Sequence, residues 1–229
     1  MLDDERAAVA QASRRLASEG LTPGTAGNVS ARHDELVAIT PTGAVLAELD
    51  AGAVTVVDLS GALVEGDLEP TSELGLHLGV YERFPAAGAV VHTHAPMATA
   101  LSCVVDEVPC VHYSMLLLGG DVPVAPYATF GTAELAESVL GTLDGRNAAL
   151  MANHGAITHG ADVAQAVELS LLLEWACGVY WHAAALGEPR TLDAAQREAV
   201  VAAALARGYG STRPAGEGEG SDRSPGGRR

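Results

Sequence analysis

The chain contains no lysine; all 13 of its Lys/Arg side chains are arginine. That absence removes Schiff-base catalysis, which needs a lysine amine, and the Walker-type phosphate clamp. Any carbon–carbon bond broken beside a carbonyl must then use another electron sink, of which a metal is the obvious kind. Positive charge is scarce altogether: Asp and Glu number 29 and the formal net charge is −16. A field of that sign disfavours nucleic acid and anionic membrane as partners. Cysteine is limited to Cys103, Cys110 and Cys177, with no C-x-x-C spacing, so all three are expected to be buried small hydrophobes in a reducing compartment. No uninterrupted apolar run approaches the roughly 18 residues of a membrane span. The acidic start Met1-Leu2-Asp3-Asp4-Glu5 reads as the opening of a helix rather than a signal peptide, and a cytoplasmic location is the expectation.

What is present is ample apolar material: 48% of the 229 residues are hydrophobic, enough for one domain with a sizeable core. A helix is expected over 3–19, stopped by Gly20. A small-residue loop follows over 22–30, then short strands at 36–39 and 54–58. A helix over 72–83 is ended by Pro85, a strand spans 88–94, and Pro96 opens another helix. Residues 122–125 are extended, Thr132 caps a helix of about ten residues, and a strand over 148–152 leads into the turn Asn153-His154-Gly155. The long apolar helix over 162–186 carries Leu, Val and Trp on more than one face, which predicts that it is largely buried. A last helix spans 193–207. Residues 1–209 read as a single domain, and the Gly/Ser/Pro-rich stretch 210–229 reads as a disordered tail. Strands and helices are interspersed without clean βαβ alternation. This predicts helices layered on a mixed, largely antiparallel sheet.

The residues most suggestive of chemistry are histidines. His92 and His94 alternate in an apolar strand, and a strand's period of two sends both imidazoles to one face. The bland alternative is an accidental His-X-His on a strand edge. His154, in a tight turn after an apolar strand, is the preferred third ligand, with His112 and His159 as further candidates. Three neutral imidazoles and an open fourth position describe a catalytic zinc site rather than a closed structural one. Glu73 starts a helix, where the dipole favours its ionisation and burial opposes it; the alternative is ordinary helix capping. His77, four residues on, is placed either to orient Glu73 or to pack on the sheet, and packing is favoured. His33 and His182 read as surface residues. The segments 24–30 and 40–43, with Thr71 and Ser72, are rich in Gly, Thr, Ser and Asn. Together they are able to form a nest of donors that holds phosphate without a cationic side chain.

In order along the chain, Gly24-Thr25-Ala26-Gly27-Asn28-Val29-Ser30, Ile39-Thr40-Pro41-Thr42-Gly43, Thr71-Ser72-Glu73, Ala89-Val90-Val91-His92-Thr93-His94, Val111-His112-Tyr113, the stretch 125–132 and Asn153-His154-Gly155 resemble the class II aldolase/adducin family. The match covers roughly residues 5–209 and is most similar to the zinc-dependent L-fuculose-phosphate aldolase branch. The resemblance implies a three-layer α/β/α fold with a mixed, largely antiparallel sheet, and a homotetramer with active sites between subunits. It implies zinc on His92, His94 and His154, with manganese or cobalt as substitutes, and phosphate binding by Asn28, Thr42, Gly43, Thr71 and Ser72. Glu73 becomes the acid/base. Tyr113, from the adjacent subunit, serves the aldehyde end, and Tyr209 matches a tyrosine that closes over the site in relatives. The implied reaction cleaves a ketose 1-phosphate to dihydroxyacetone phosphate and a small aldehyde. Glu73 and the Thr40-Pro41-Thr42-Gly43 turn depart from the 4-epimerase pattern, and the retained histidines depart from adducin-type interaction modules. A methylthioribulose-1-phosphate dehydratase remains a competing expectation. A zinc hydrolase leaves the donor-rich segments unexplained.

Overall fold

The structure, a computed structural model, describes residues 1–207. A first compact unit spans Met1–Leu192 and a second begins at Asp193. Within the first, helix α1 (Asp3–Ser18) carries Asp3, Asp4 and Glu5 at the positive end of its dipole and buries Val9, Ala12 and Leu16. Strands β1 (Asn28–His33) and β2 (Leu36–Ile39) form a hairpin, followed by β3 (Thr55–Asp58) and β4 (Leu63–Glu65). Next come α2 (Leu74–Arg83), β5 (Ala89–Thr93), α3 (Pro96–Ser102), β6 (Glu107–Val108) and β7 (Val122–Ala125). Helix α4 (Ala133–Thr142), β8 (Ala148–Met151), β9 (Gly155–Gly160) and α5 (Val163–Leu186) complete the unit.

The strands form one nine-stranded sheet in the order β4-β3-β2-β1-β5-β9-β8-β7-β6. Every neighbouring pair is antiparallel except β7 with β8, which are linked through α4. Only that parallel pair needs a crossover helix, which is why the chain shows no regular βαβ rhythm. Strand alternation sorts the core into two layers. Val29, Ala31, Ala89, Val91, Ala148 and Leu150 face α1, α3 and α5. Val37, Ile39, Val57, Val90, Ala149 and Met151 face α2 and α4. The expected three-layer α/β/α arrangement is what these two clusters describe.

Three expectations need correction. The loop expected over 22–30 ends at Gly27, because Asn28–Ser30 already pair with β5 and Ser30 pairs with β2 as well; ladder hydrogen bonds override the weak strand propensity of Asn and Ser. Helix α5 is not largely buried. A stripe of Ala166, Leu169, Ser170, Leu173, Ala176 and Cys177 lies against the sheet, while Trp175 and Trp181 are 47% and 49% exposed. A helix laid on one face of a sheet buries one stripe, whatever its composition. By length and composition α5 is sufficient to cross a membrane, although Glu168 and Glu174 interrupt it. Cys110 and Cys177 are buried as expected, but Cys103 is exposed at the end of α3.

Predicted caps are in place. Thr132 accepts from the Leu135 amide at 3.2 Å and Asp162 from the Gln165 amide at 2.8 Å. In the second unit, α6 (Ala194–Arg207) opens on a reciprocal box in which Gln196 N–H donates to Asp193 and Asp193 N–H donates to Gln196. Tyr209 and the expected tail over 210–229 lie outside the described residues.

Candidate active site

Strand β5 runs antiparallel between β1 and β9, and His92, its fourth residue, is fully buried on the α2 side. His94 lies just beyond the strand end, and His154 in the three-residue turn between β8 and β9. That turn places Asn153 in the left-handed region at φ 55°, which a short amide side chain tolerates. The ring centroids of the three histidines are 4.8–5.0 Å apart, and one ligand nitrogen from each lies within 4.8 Å of the others.

The protonation pattern suits metal binding. His92 Nδ1–H donates to the Ala156 carbonyl at 2.9 Å, which turns Nε2 toward the other two rings. That Nε2 is 3.0 Å from His94 Nε2, a separation at which two lone pairs repel unless a cation or proton lies between them. Burial, reinforced by the neighbouring imidazoles, lowers His94 to about 4 against the opposing pull of Glu73. Burial also lowers His154. Both are therefore neutral donors near pH 7, the form a metal needs. Glycine makes the convergence possible: a Cβ on Gly155 would stand 2.3 Å from the Thr93 carbonyl and within 3.3 Å of both the His92 and His94 rings. These three side chains fit a divalent cation. Among the described residues no other group of His, Cys, Asp and Glu converges in this way.

The alternative ligands are elsewhere. His159 stacks on Phe84 and bonds the Arg146 carbonyl through Nε2. His112 accepts from the Ser114 amide and packs against Tyr113 and Trp175. His33 and His182 are exposed.

Glu73 stands at the N-cap of α2 but its side chain caps nothing. It is 6% exposed and turns into the site, with Oε2 3.1 Å from His92 Nε2 and Oε1 3.6 Å from His154 Nε2. Burial alone would raise this carboxyl; His92, the Asn28 amide, His154 and His77 outweigh it and hold the group below its ordinary value. Oε2 accepts from Asn28 Nδ2 at 2.9 Å, whereas Oε1 is buried with no hydrogen-bond partner.

A cavity of about 280 Å³ opens above this group. Its wall contains Thr25 to Asn28, Pro41 to Gly43, and Thr71 and Ser72, so the fold brings the three donor-rich segments together beside Glu73, His94 and His154. The Pro41–Pro70 bridge and the bond from Thr71 N–H to the Thr40 carbonyl clamp two of them side by side. Gly27, at φ 85°, lets the first approach: a Cβ there would meet the His92 carbonyl at 2.9 Å. Tyr113 begins a 3-10 turn, is 41% exposed and takes no part in this wall.

Sequence reasoning missed Phe130 in the cavity wall, the glycine cradle at Gly155, and what lies behind Glu73. His77 does not merely pack. Its Nε2 is 2.5 Å from Asn28 Oδ1, its Nδ1 is 2.7 Å from Ser30 Oγ, and Ser30 Oγ is 2.6 Å from Tyr81 Oη. The signal was in the spacing. Glu73, His77 and Tyr81 recur every four residues along one helix face, and Asn28 and Ser30 share one strand face.

Comparison with known proteins agrees with the geometry. Residues 7–181 match the family described as Class II Aldolase and Adducin N-terminal domain. The chain is 38% identical over 191 residues to a 5-methylthioribulose-1-phosphate/5-deoxyribulose-1-phosphate aldolase of Rhodospirillum rubrum, covering 83% of this chain and 86% of the relative. It is 39% identical over 183 residues to the L-fuculose phosphate aldolase of Escherichia coli, covering 80% and 85%. A solved structure of an L-fuculose 1-phosphate aldolase superposes with a TM-score of 0.84 at 34% identity, over 87% of this chain and 95% of that one. With three imidazoles, a carboxylate and a donor-lined cavity assembled from the segments that carry these matches, the chain belongs to the class II aldolase and adducin family.

Proposed function

We propose that the protein is a zinc-dependent aldehyde-lyase that reversibly cleaves a ketose 1-phosphate, of the L-fuculose 1-phosphate type, to dihydroxyacetone phosphate and a small aldehyde. The observation that carries this is the convergence of His92, His94 and His154 on Glu73 at the foot of a cavity walled by hydroxyls and glycines. The chemistry a divalent ion supplies when held by the three imidazoles is Lewis-acid polarisation of a carbonyl oxygen. No lysine is present to do this as an imine.

The chain's own groups supply the rest. Asn28, Thr42, Gly43, Thr71 and Ser72 take the phosphate, using amide and hydroxyl donors in place of a cation. Tyr113 of an adjacent subunit relays the proton of the C4 hydroxyl, passing its own phenolic hydrogen to solvent, as the C3–C4 bond breaks and the aldehyde leaves. Glu73, ionised at rest, takes up a proton from solvent and delivers it to C3; in the joining direction the ionised carboxylate removes that proton from dihydroxyacetone phosphate. The exposure of Tyr113 outside the cavity wall of its own chain, and the half-exposed Trp175 and Trp181, support a homotetramer with shared sites. We assign the protein to the cytoplasm.

The test is release of dihydroxyacetone phosphate from L-fuculose 1-phosphate and from 5-deoxyribulose 1-phosphate, with metal analysis of the purified protein. Stoichiometric zinc, cleavage of at least one sugar, and loss and recovery of cleavage on chelation and zinc return are expected. No cleavage of any ketose 1-phosphate by metal-loaded protein overturns the assignment. Loss of water from methylthioribulose 1-phosphate in its place would move it to a dehydratase.

A further inference from the structure

We propose that His77 is a positioning residue for Glu73: through the Asn28 side chain it fixes which oxygen of the carboxylate is left unpartnered for the substrate. This role rests on the acid/base function proposed for Glu73. The geometry is a single line of hydrogen bonds, Tyr81–Ser30–His77–Asn28–Glu73, in which no link is longer than 2.9 Å. Ser30 and His77 are fully buried, Tyr81 is 2% exposed and Asn28 and Glu73 are 6% exposed, so water cannot substitute for a missing link.

Counting donors and acceptors gives the line one direction. An ionised carboxylate only accepts, so Asn28 presents Nδ2 to Glu73 and therefore Oδ1 to His77. His77 Nε2 must then carry its hydrogen. Burial lowers His77 to about 3 despite the pull of Glu73, so the ring is neutral and its Nδ1 is bare. Ser30 gives its one hydroxyl proton to that Nδ1 and, having none left, accepts from the Tyr81 hydroxyl. Every hydrogen points toward Glu73.

The consequence is a selection between two states of one amide. With His77 as the Nε2–H tautomer, flipping the Asn28 amide would set its oxygen against the carboxylate and its NH2 against an N–H, two repulsive contacts in a buried site. The tautomer therefore locks the flip. The locked amide binds Oε2, and Oε1 alone remains unpartnered. Remove the His77 donor and Asn28 is free to turn its amide, which lets Glu73 lose its aim without moving the imidazoles or the backbone of the cavity wall.

The experiment begins with histidine 15N NMR on the intact protein. The Nε2–H tautomer of His77 is expected unchanged from pH 5 to 9, and an Nδ1–H tautomer overturns the proposal. His77→Leu is expected to lower kcat for cleavage and for C3-proton exchange of dihydroxyacetone phosphate by about tenfold or more, with KM and zinc content retained. His77→Gln, whose amide offers a donor to Asn28, should recover activity to within about threefold of the natural protein. Ser30→Ala, milder and within the same line, provides a second variant with a smaller loss of kcat and a lowered but still cooperative melting transition. In a Glu73→Gln background, His77→Leu should cost nothing further; an equal loss in both backgrounds marks a merely structural residue and refutes the role. Full kcat in His77→Leu also refutes it. Full cleavage by Glu73→Gln alone would instead sink the acid/base role of Glu73 on which this one rests, while an absence of cleavage by the natural protein would sink the aldolase reading itself.

Discussion

The sheet carries a buried polar cluster on each face, and they end differently. On the α5 side, Thr158 Oγ1 and Ser170 Oγ lie 2.6 Å apart and both lie within 3.0 Å of the Ala166 carbonyl, so one hydroxyl donates to the other and the second donates to that carbonyl. That cluster closes on backbone and does nothing but hold α5 to β9. On the α2 side, a line of similar bonds runs out of the core and stops at Glu73. Both clusters satisfy groups that are expensive to bury alone. Only one terminates at a carboxylate with an unpartnered oxygen in a cavity. A buried polar network is a structural fastening or an aiming device according to what stands at its end.

Substitutions sharpen this contrast. The largest effect is expected from Glu73→Gln, which should remove cleavage by about a thousandfold while the fold and zinc content persist, measured by dihydroxyacetone phosphate release and thermal melting. Gly155→Ala comes next. Its Cβ has no room beside the Thr93 carbonyl, so a loss of roughly 3 kcal/mol of stability and weakened zinc retention are expected by urea titration and metal analysis. Ser170→Ala should cost about 1 kcal/mol of stability and leave kcat unchanged; a fall in kcat would erase the distinction between the two faces.

Acidification gives a smaller and graded test. The unfolded chain takes up a proton on His77 near its ordinary value of 6.5, whereas burial makes the folded protein refuse it down to about 3. Stability is therefore fully present above that upper value. It falls through the window as pH drops, by about 1.4 kcal/mol per pH unit per proton. In metal-free protein, His77→Leu should flatten this fall at pH 4–6, read from urea midpoints.

Much of the site was legible because it follows local rules. The alternation of His92 and His94, the helix start at Glu73 and the turn at His154 are short-range features, and each is found where its spacing placed it. What was not legible depends on partners far away in sequence. Asn28 and Ser30 look like loop residues until β5 pairs with both of them and β2 closes on Ser30 from the other side. The exposure of Trp175 depends on which stripe of α5 meets the sheet, which an evenly apolar helix does not announce. His77 was judged by its own helix alone, and its partners sit on a strand more than forty positions earlier.

Asn28 sits directly opposite His92 across the β1–β5 ladder. If β1 slid by a single position, its alternation would carry Asn28 and Ser30 to the opposite side of the sheet and strand Glu73 without its amide. A mispaired chain is thus silent rather than indiscriminate. Fidelity of strand assembly is proofread by the very contact that arms the carboxylate.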